Sequence, residues 1–198
     1  MPYDPEKHHR RSIRLKGYDY SQAGAYFVTI CTHDRECLFG EINQGEMAMN
    51  PCGRIVHEEW VHSAQIRHEI RLDESVVMPN HVHGIVFIID DGSRDVGATG
   101  RSPLRTMHPP SEPIFRPGPP KESLGSFIAG FKPAVTQWVN QMRGTPGLPV
   151  WQRNYHEHII RYEDELNQIR AYIRENPLRW ETDENYPHRL QNLQHQAS

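Results

Sequence analysis

Apolar residues fall along this chain in two rhythms. Residues 25–32 read AYFVTICT, a β-branched and aromatic run that predicts a strand. CLFGEI follows the charged turn HDRE as the expected second arm of a hairpin. Asn50-Pro51 is a helix start, a capping side chain followed by proline at the first helical position. Ile55, Val56 and Trp60 then recur at helical spacing to about residue 66. Two more strands are predicted at residues 69–77 and 81–89. Leu124, Phe127, Ile128, Phe131, Val135, Trp138, Val139 and Met142 share the period of one buried helix face, and Gly144 is its stop. Pro133 lies inside that period and predicts a kink or a split. VWQRNYHEHIIR reads as a strand region. The last helix is predicted over residues 163–176. Acids fill its first turn, Leu166, Ile169 and Ile173 make its stripe, and Pro177 ends it.

Between residues 90 and 121 both rhythms disappear. This stretch is rich in Gly, Pro, Ser and Arg and is expected to be a long loop or disordered insertion. Residues 181–198 are polar and are expected to form a frayed tail. Residues 1–180 are therefore read as one domain carrying an insertion. The order strand, strand, helix, strand, strand, loop, helix, strand, helix predicts an α+β sandwich of the ferredoxin-like type: a mainly antiparallel sheet with helices packed against it.

Composition narrows the setting. The chain has 198 residues, enough for one domain with a real core. No apolar run approaches the roughly 20 residues that span a bilayer, so no membrane partner is expected. The opening MPYDPEKHHRRS has no apolar segment after its charges, which predicts no secretory signal and a cytoplasmic location. Cys31, Cys37 and Cys52 are an odd set without a C-x-x-C pair, so reduced thiols are expected. A zinc site combining them with His33 or His57 lacks ligand-type spacing. The net charge of −3 gives no global pull toward nucleic acid. Charge is nevertheless uneven: KHHRRSIRLK, residues 7–16, carries five Lys or Arg and no acid. Such a patch can contact phosphates, or simply be a solvated arm.

The candidate chemistry starts at MPNHVHG. His81 and His83 flank one valine at the start of a predicted strand, so they project from the same face. Two imidazoles on one face make two legs of a metal site, and equally suit hydrogen-bonded strand histidines. On the last helix Tyr172 and Asn176 stand four apart and share a face. Tyr172 borders the apolar stripe, where a tyrosine can serve packing alone. A tyrosine hydroxyl, with a free pKa of about 10, is a poor nucleophile unless a metal polarises the phosphate it attacks.

MPNHVHG, then WQRNYHEHIIR, then AYIRENPLRW resemble, in that order, the motifs of the REP-associated tyrosine transposases. These belong to the single-strand DNA transposases with one catalytic tyrosine and an H-hydrophobic-H (HUH) motif. The opening HHRRSIRLKGYDYSQAGAYFVTICTHDRECLFGEI is similar to their N-terminal region. The resemblance runs from about residue 10 to residue 180, apart from the insertion. It implies an HUH endonuclease-like fold, His81 and His83 as metal ligands, Tyr172 as nucleophile and Asn176 as third ligand, a glutamine in some relatives. Tyr155 of the second motif lies before the helix and is the lesser candidate for nucleophile.

The activity implied is a Mg²⁺- or Mn²⁺-dependent endonuclease and strand transferase. It would cut single-stranded DNA near hairpins through a 5′-phosphotyrosine. Arg10, Arg11, Arg14, Lys16, Lys132, Arg153, His158, Arg170 and Arg174 are candidate DNA contacts. The competing expectations are a catalytically silent hairpin-binding descendant and a metallohydrolase that activates water. Barrel-type metallohydrolases need about 250 residues and a different strand order. Relatives of this kind work as monomers or as homodimers that exchange the tyrosine helix, and both states remain open.

Overall fold

The computed structural model describes residues 21–89 and 119–187. Six strands and three α-helices follow one another as β1 (Gly24–Cys31), β2 (Gly40–Asn43), β3 (Glu46–Met49), α1 (Pro51–Gln65), β4 (Ile70–Met78), β5 (His81–Ile88), α2 (Leu124–Arg143), β6 (His156–Ile160) and α3 (Glu163–Glu175). Four strands form one antiparallel sheet in the order β4-β5-β1-β6. The chain leaves β1 through α1 and returns as β4, with β5 seated between them: the split β-α-β arrangement expected from the element order.

Alternation decides which face each side chain takes. Tyr26, Val28 and Ile30 of β1 join Val82, Val86 and Ile88 of β5 in the main core, under α1 and α2. Residues of the opposite parity, Ala25, Phe27 and Ile85, form a second apolar layer with Leu166, Ile173 and Tyr172 of α3. The sheet is thus covered on both faces, by two helices on one side and by α3 on the other.

Gly84 is the glycine of MPNHVHG, and its role is steric. A Cβ there would lie 2.5 Å from the Trp60 ring. That ring cannot retreat easily, because Phe127 and Phe131 meet it edge-on with centroids 5.2 Å away. The missing side chain lets the Trp60 ring of α1 lie against the middle of β5.

Several elements differ from expectation. CLFGEI does not pair with β1. Leu38 and Phe39 are buried without joining a strand, Phe39 donating to Pro79 O at 2.9 Å and accepting from Asn50 N at 3.0 Å. The hairpin lies one step later, β2 with β3, around Gln44-Gly45 at φ 52° and 81°. Both turn residues take the left-handed values that a two-residue hairpin demands. The third strand, EMAM, was hidden by its weak β formers. Helix α2 continues through Pro133 and is not split there. Pro133 and Ala129, whose carbonyl loses its partner, are both exposed, so water can satisfy that carbonyl. Trp138 and Met142, expected on the buried face, are exposed at 52% and 45%. The rest of the expected face is buried: Leu124, Phe127, Ile128, Phe131, Val135 and Val139. The cap signals hold: Asn50 Oδ1 accepts from Gly53 N, and Gly144 ends α2 in the left-handed conformation.

The tail expected to fray from residue 181 instead continues a 3₁₀ turn, Pro177–Thr182, and then folds inward. Trp180, Asp183 and Asn185 are buried. Most of the insertion, residues 90–118, and residues 188–198 lie outside the described residues. Among the described residues no helix is long and apolar enough to cross a membrane.

Replacing Gly84 by Ala is expected to destabilise the fold by about 1–3 kcal/mol, as overpacking does. Urea denaturation monitored by tryptophan fluorescence measures this. An unchanged midpoint would mean that the Trp60 contact is not tight.

Candidate active site

The β1–β5 register sets the histidines in place. Thr29 lies opposite His83 and Cys31 opposite His81, all on the α3 side of the sheet. Thr29 Oγ1 is 2.8 Å from His83 Nδ1. His81 Nδ1 is 2.8 Å from the side-chain oxygen of Asn80. That oxygen only accepts, so His81 carries its proton on Nδ1 and turns a bare Nε2 toward the interior. The two imidazoles meet edge-on, centroids 4.4 Å apart. Both are fully buried.

Asn80 is anchored in turn. Its amide nitrogen donates to Arg35 O at 3.0 Å and to Asn185 O at 2.9 Å. Its own carbonyl accepts from Thr32 N at 2.9 Å and Thr32 Oγ1 at 3.0 Å.

Helix α3 brings Tyr172 to the same place. The Tyr172 hydroxyl is 3.3 Å from His83 Nε2. Phe27 stacks on His83 and meets Tyr172 edge-on, fixing both rings. Asn176, one turn later, is buried and donates to Asp183 Oδ2 at 3.2 Å. Among the described residues, one set of acidic, histidine or cysteine side chains is gathered as metal ligands would be. It is His81, His83 and Asp183, with ligand atoms within 4.8 Å of one another. His81 Nε2 and Asn176 Oδ1 are buried without a hydrogen-bond partner. Two inward-facing acceptors beside a carboxylate form a donor-poor pocket, which suits a cation.

Burial controls the proton chemistry. It pushes the His81 imidazole down to about 3, and the Arg35 charge acts in the same direction. Burial and then the neighbouring His81 hold His83 well below the ordinary range, against an opposing pull from Asp183. Both rings are neutral at physiological pH, as metal ligation requires. Burial, with the carboxylates of Asp183 and Glu184, pushes the Tyr172 hydroxyl up to about 12. The tyrosine therefore keeps its proton in the metal-free protein.

Sequence spacing thus placed His81, His83, Tyr172 and Asn176, which the structure gathers in one pocket. Tyr155 lines the adjoining cleft of about 310 Å³. Asp183, Asn185 and Arg35 were missed, the first two because the polar tail offered no period. Arg170 and Arg174 bracket Tyr172 and are engaged with β4: Arg170 with Asp73 at 2.6 Å, Arg174 with Glu74 at 2.8 Å. Lys132 donates to Gln152 O at 2.5 Å and Arg153 O at 3.2 Å, and burial pushes it down to about 8. His158 meets Glu165 at 2.7 Å on the outer surface. Arg153 lines a larger groove of about 950 Å³ beside α2. Arg10, Arg11, Arg14 and Lys16 lie outside the described residues.

The unfolded chain takes a proton on His81 below about 6.5, whereas the folded chain resists it down to about 3. Acidification through that window binds more protons to the unfolded state and lowers stability. The melting temperature of the metal-free protein should fall from about pH 7 to about pH 5, with a shallower slope in His81→Gln. Parallel slopes would contradict the burial of a neutral imidazole.

No protein-family model matches the chain. An uncharacterized protein of Haemophilus influenzae (strain ATCC 51907 / DSM 11121 / KW20 / Rd) is 41% identical over 184 residues, covering 93% of this chain and 97% of that protein. Among solved structures, a REP-associated tyrosine transposase bound to a REP hairpin superposes with a TM-score of 0.51 at 15% identity, covering 84% of this chain and 73% of that one. The chain belongs to the family of the Haemophilus protein and has the fold of a REP-associated tyrosine transposase.

Proposed function

We propose that this protein is a single-strand DNA transposase. It would cut and rejoin DNA beside hairpins through a 5′-phosphotyrosine intermediate, with Mg²⁺ or Mn²⁺ as cofactor. The observation that carries the reading is the position of one tyrosine hydroxyl, 3.3 Å from His83 Nε2, at the edge of the pocket where His81 Nε2 and Asn176 Oδ1 lack partners. The transposase fold supports it.

His81, His83 and Asp183, with the side-chain oxygen of Asn176, would hold the cation. This mixed nitrogen and oxygen set fits a divalent ion. When bound, the cation supplies positive charge that polarises the scissile phosphate. Asn176 has a double part, its amide nitrogen steadying Asp183 while its oxygen faces the pocket. Phe27 and His83 pack against the Tyr172 ring and fix its direction, with its oxygen 3.3 Å from His83 Nε2.

The Tyr172 oxygen attacks phosphorus. The new bond is tyrosine oxygen to phosphorus, and the bond to the 3′ oxygen breaks. Overall the tyrosine proton ends on that oxygen, leaving a free 3′-hydroxyl. The phosphotyrosine keeps the energy of the phosphodiester, so attack by another 3′-hydroxyl reseals the strand and returns the proton to Tyr172.

Incubation with labelled hairpin DNA bearing a single-stranded flank, plus Mn²⁺, tests the reading on a denaturing gel. A covalent band is expected with the natural sequence and absent in Tyr172→Phe, which should keep its hairpin affinity. Binding without any adduct would favour a silent hairpin-binding protein, and cutting without an adduct would favour water as nucleophile.

A second expectation concerns the cation. Asp183→Asn should weaken Mn²⁺ binding by roughly tenfold to a hundredfold, read by isothermal titration calorimetry. Unchanged affinity would remove Asp183 from the ligand set.

A further inference from the structure

The cleft beside Tyr172 has one cationic side chain that the roles above do not use. Among the described residues lining it, Arg35 is the only lysine or arginine. It is the last residue of the short 3₁₀ turn His33–Arg35 between β1 and β2, in the charged segment HDRE. Asp34 and Arg35 have φ values of 51° and 56°. Neither is glycine, so the left-handed conformation is costly and must be held by its surroundings.

It is held by the same residue that orients His81. Asn80 Nδ2 donates to Arg35 O at 3.0 Å, while Arg35 N donates to Thr32 O at 3.2 Å. Thr32 Oγ1, buried beside them, shares its one proton between Asn80 O at 3.0 Å and Glu36 O at 2.8 Å and closes the turn. The backbone of Arg35 is therefore fixed relative to the histidine pocket.

The guanidinium is half-buried and donates to the side-chain oxygen of Asn185, a neutral group. Other arginines near this face have carboxylates: Arg170 has Asp73, Arg174 has Glu74, Arg179 has Glu175. Arg35 has no such ion pair among the described residues. An arginine offers five N–H donors in a planar fork, so most of its donor capacity remains for an anion. Its charge reaches the pocket, acting on both His81 and Cys31.

We propose that Arg35 is a phosphate-binding residue of this cleft, its guanidinium holding a non-bridging oxygen of the DNA phosphate beside Tyr172. The inference rests on the reading of the cleft as a place of phosphodiester chemistry and adds the group that orients the phosphate there. A fork on one oxygen would align phosphorus with the tyrosine and offset the charge that grows during attack. Lys132 is not equivalent, because its ammonium is bound to two backbone carbonyls.

Two measurements test this on the full chain. The first is binding of inorganic phosphate to the metal-free protein, followed by ³¹P nuclear magnetic resonance. Arg35→Gln should weaken it by roughly tenfold or more, Arg35→Lys by less, with circular dichroism unchanged. Equal phosphate affinity in Arg35→Gln, or no phosphate binding by the natural sequence, would overturn the proposal. The second is the single-turnover rate of adduct formation with hairpin DNA and Mn²⁺. Arg35→Ala should lose on the order of 100-fold and recover in part with added guanidinium ion. A natural adduct rate in Arg35→Ala overturns the role of Arg35 and leaves the tyrosine chemistry standing. Arg35-dependent phosphate binding with no adduct under any condition leaves the phosphate site standing and removes the transposase reading.

Discussion

The side chain of Asn80 is where the parts of this molecule meet. Its oxygen accepts from His81, and its nitrogen donates to the backbone of both Arg35 and Asn185. Its main-chain carbonyl takes two further bonds from Thr32. One fully buried amide therefore joins the end of β1, the turn before β5 and the C-terminal segment. A buried amide is tolerable only when its donors and acceptors are satisfied, and here the satisfied state defines the site. These bonds fix the orientation of the amide whose oxygen selects the His81 tautomer. The order P-N-H-V-H-G then has a physical reading. The turn supplies the clamp, the two histidines share one face, and glycine on the other face admits Trp60.

The opposite wall of the pocket is fixed by charge. An irregularity in the β4–β5 pairing between Leu72 and Ser75 accompanies two acids, Asp73 and Glu74, that meet α3. Arg170 and Arg174 reach them from either side of Tyr172. The bidentate bond from Arg170 is the main reason that the Asp73 carboxyl stays below its ordinary range. Pairs at this partly exposed surface add little to global stability. Their geometry matters more, because they set the rotation of α3 and hence the direction of the tyrosine. Burying two neutral imidazoles and an unpaired Asn176 oxygen works against stability. These costs lie beside Tyr172, where a core built for stability alone would carry apolar side chains.

Much of this was legible in the residue pattern, for identifiable reasons. Strand alternation placed His81 and His83 together, and helical spacing did the same for Tyr172 and Asn176, because both are local periodicities. The pattern failed where distant segments decide. Asn185 meets Asn80 across 105 positions and Arg35 across 150, in a segment whose polar composition resembles a free tail. Asp183 was invisible for the same reason. Trp138 fits the apolar period of α2 yet is exposed, while Val135 and Val139 of the same period are buried, because a period marks a face and not where its edge meets solvent. Of the kink or split that Pro133 predicts, the split does not occur, because Pro133 lies on the exposed side of the helix.

The central claim is that one particular tyrosine, Tyr172, lies where phosphodiester chemistry takes place. Tryptic peptide mapping by mass spectrometry tests it most directly, after reaction with hairpin DNA and Mn²⁺ and nuclease trimming of the bound strand. A nucleotide 5′-phosphate on the peptide of residues 171–174, with the peptide of residues 154–161 unmodified, is the expected result. The nucleotide on residues 154–161, which hold Tyr155, or cut DNA with no modified peptide, would contradict it.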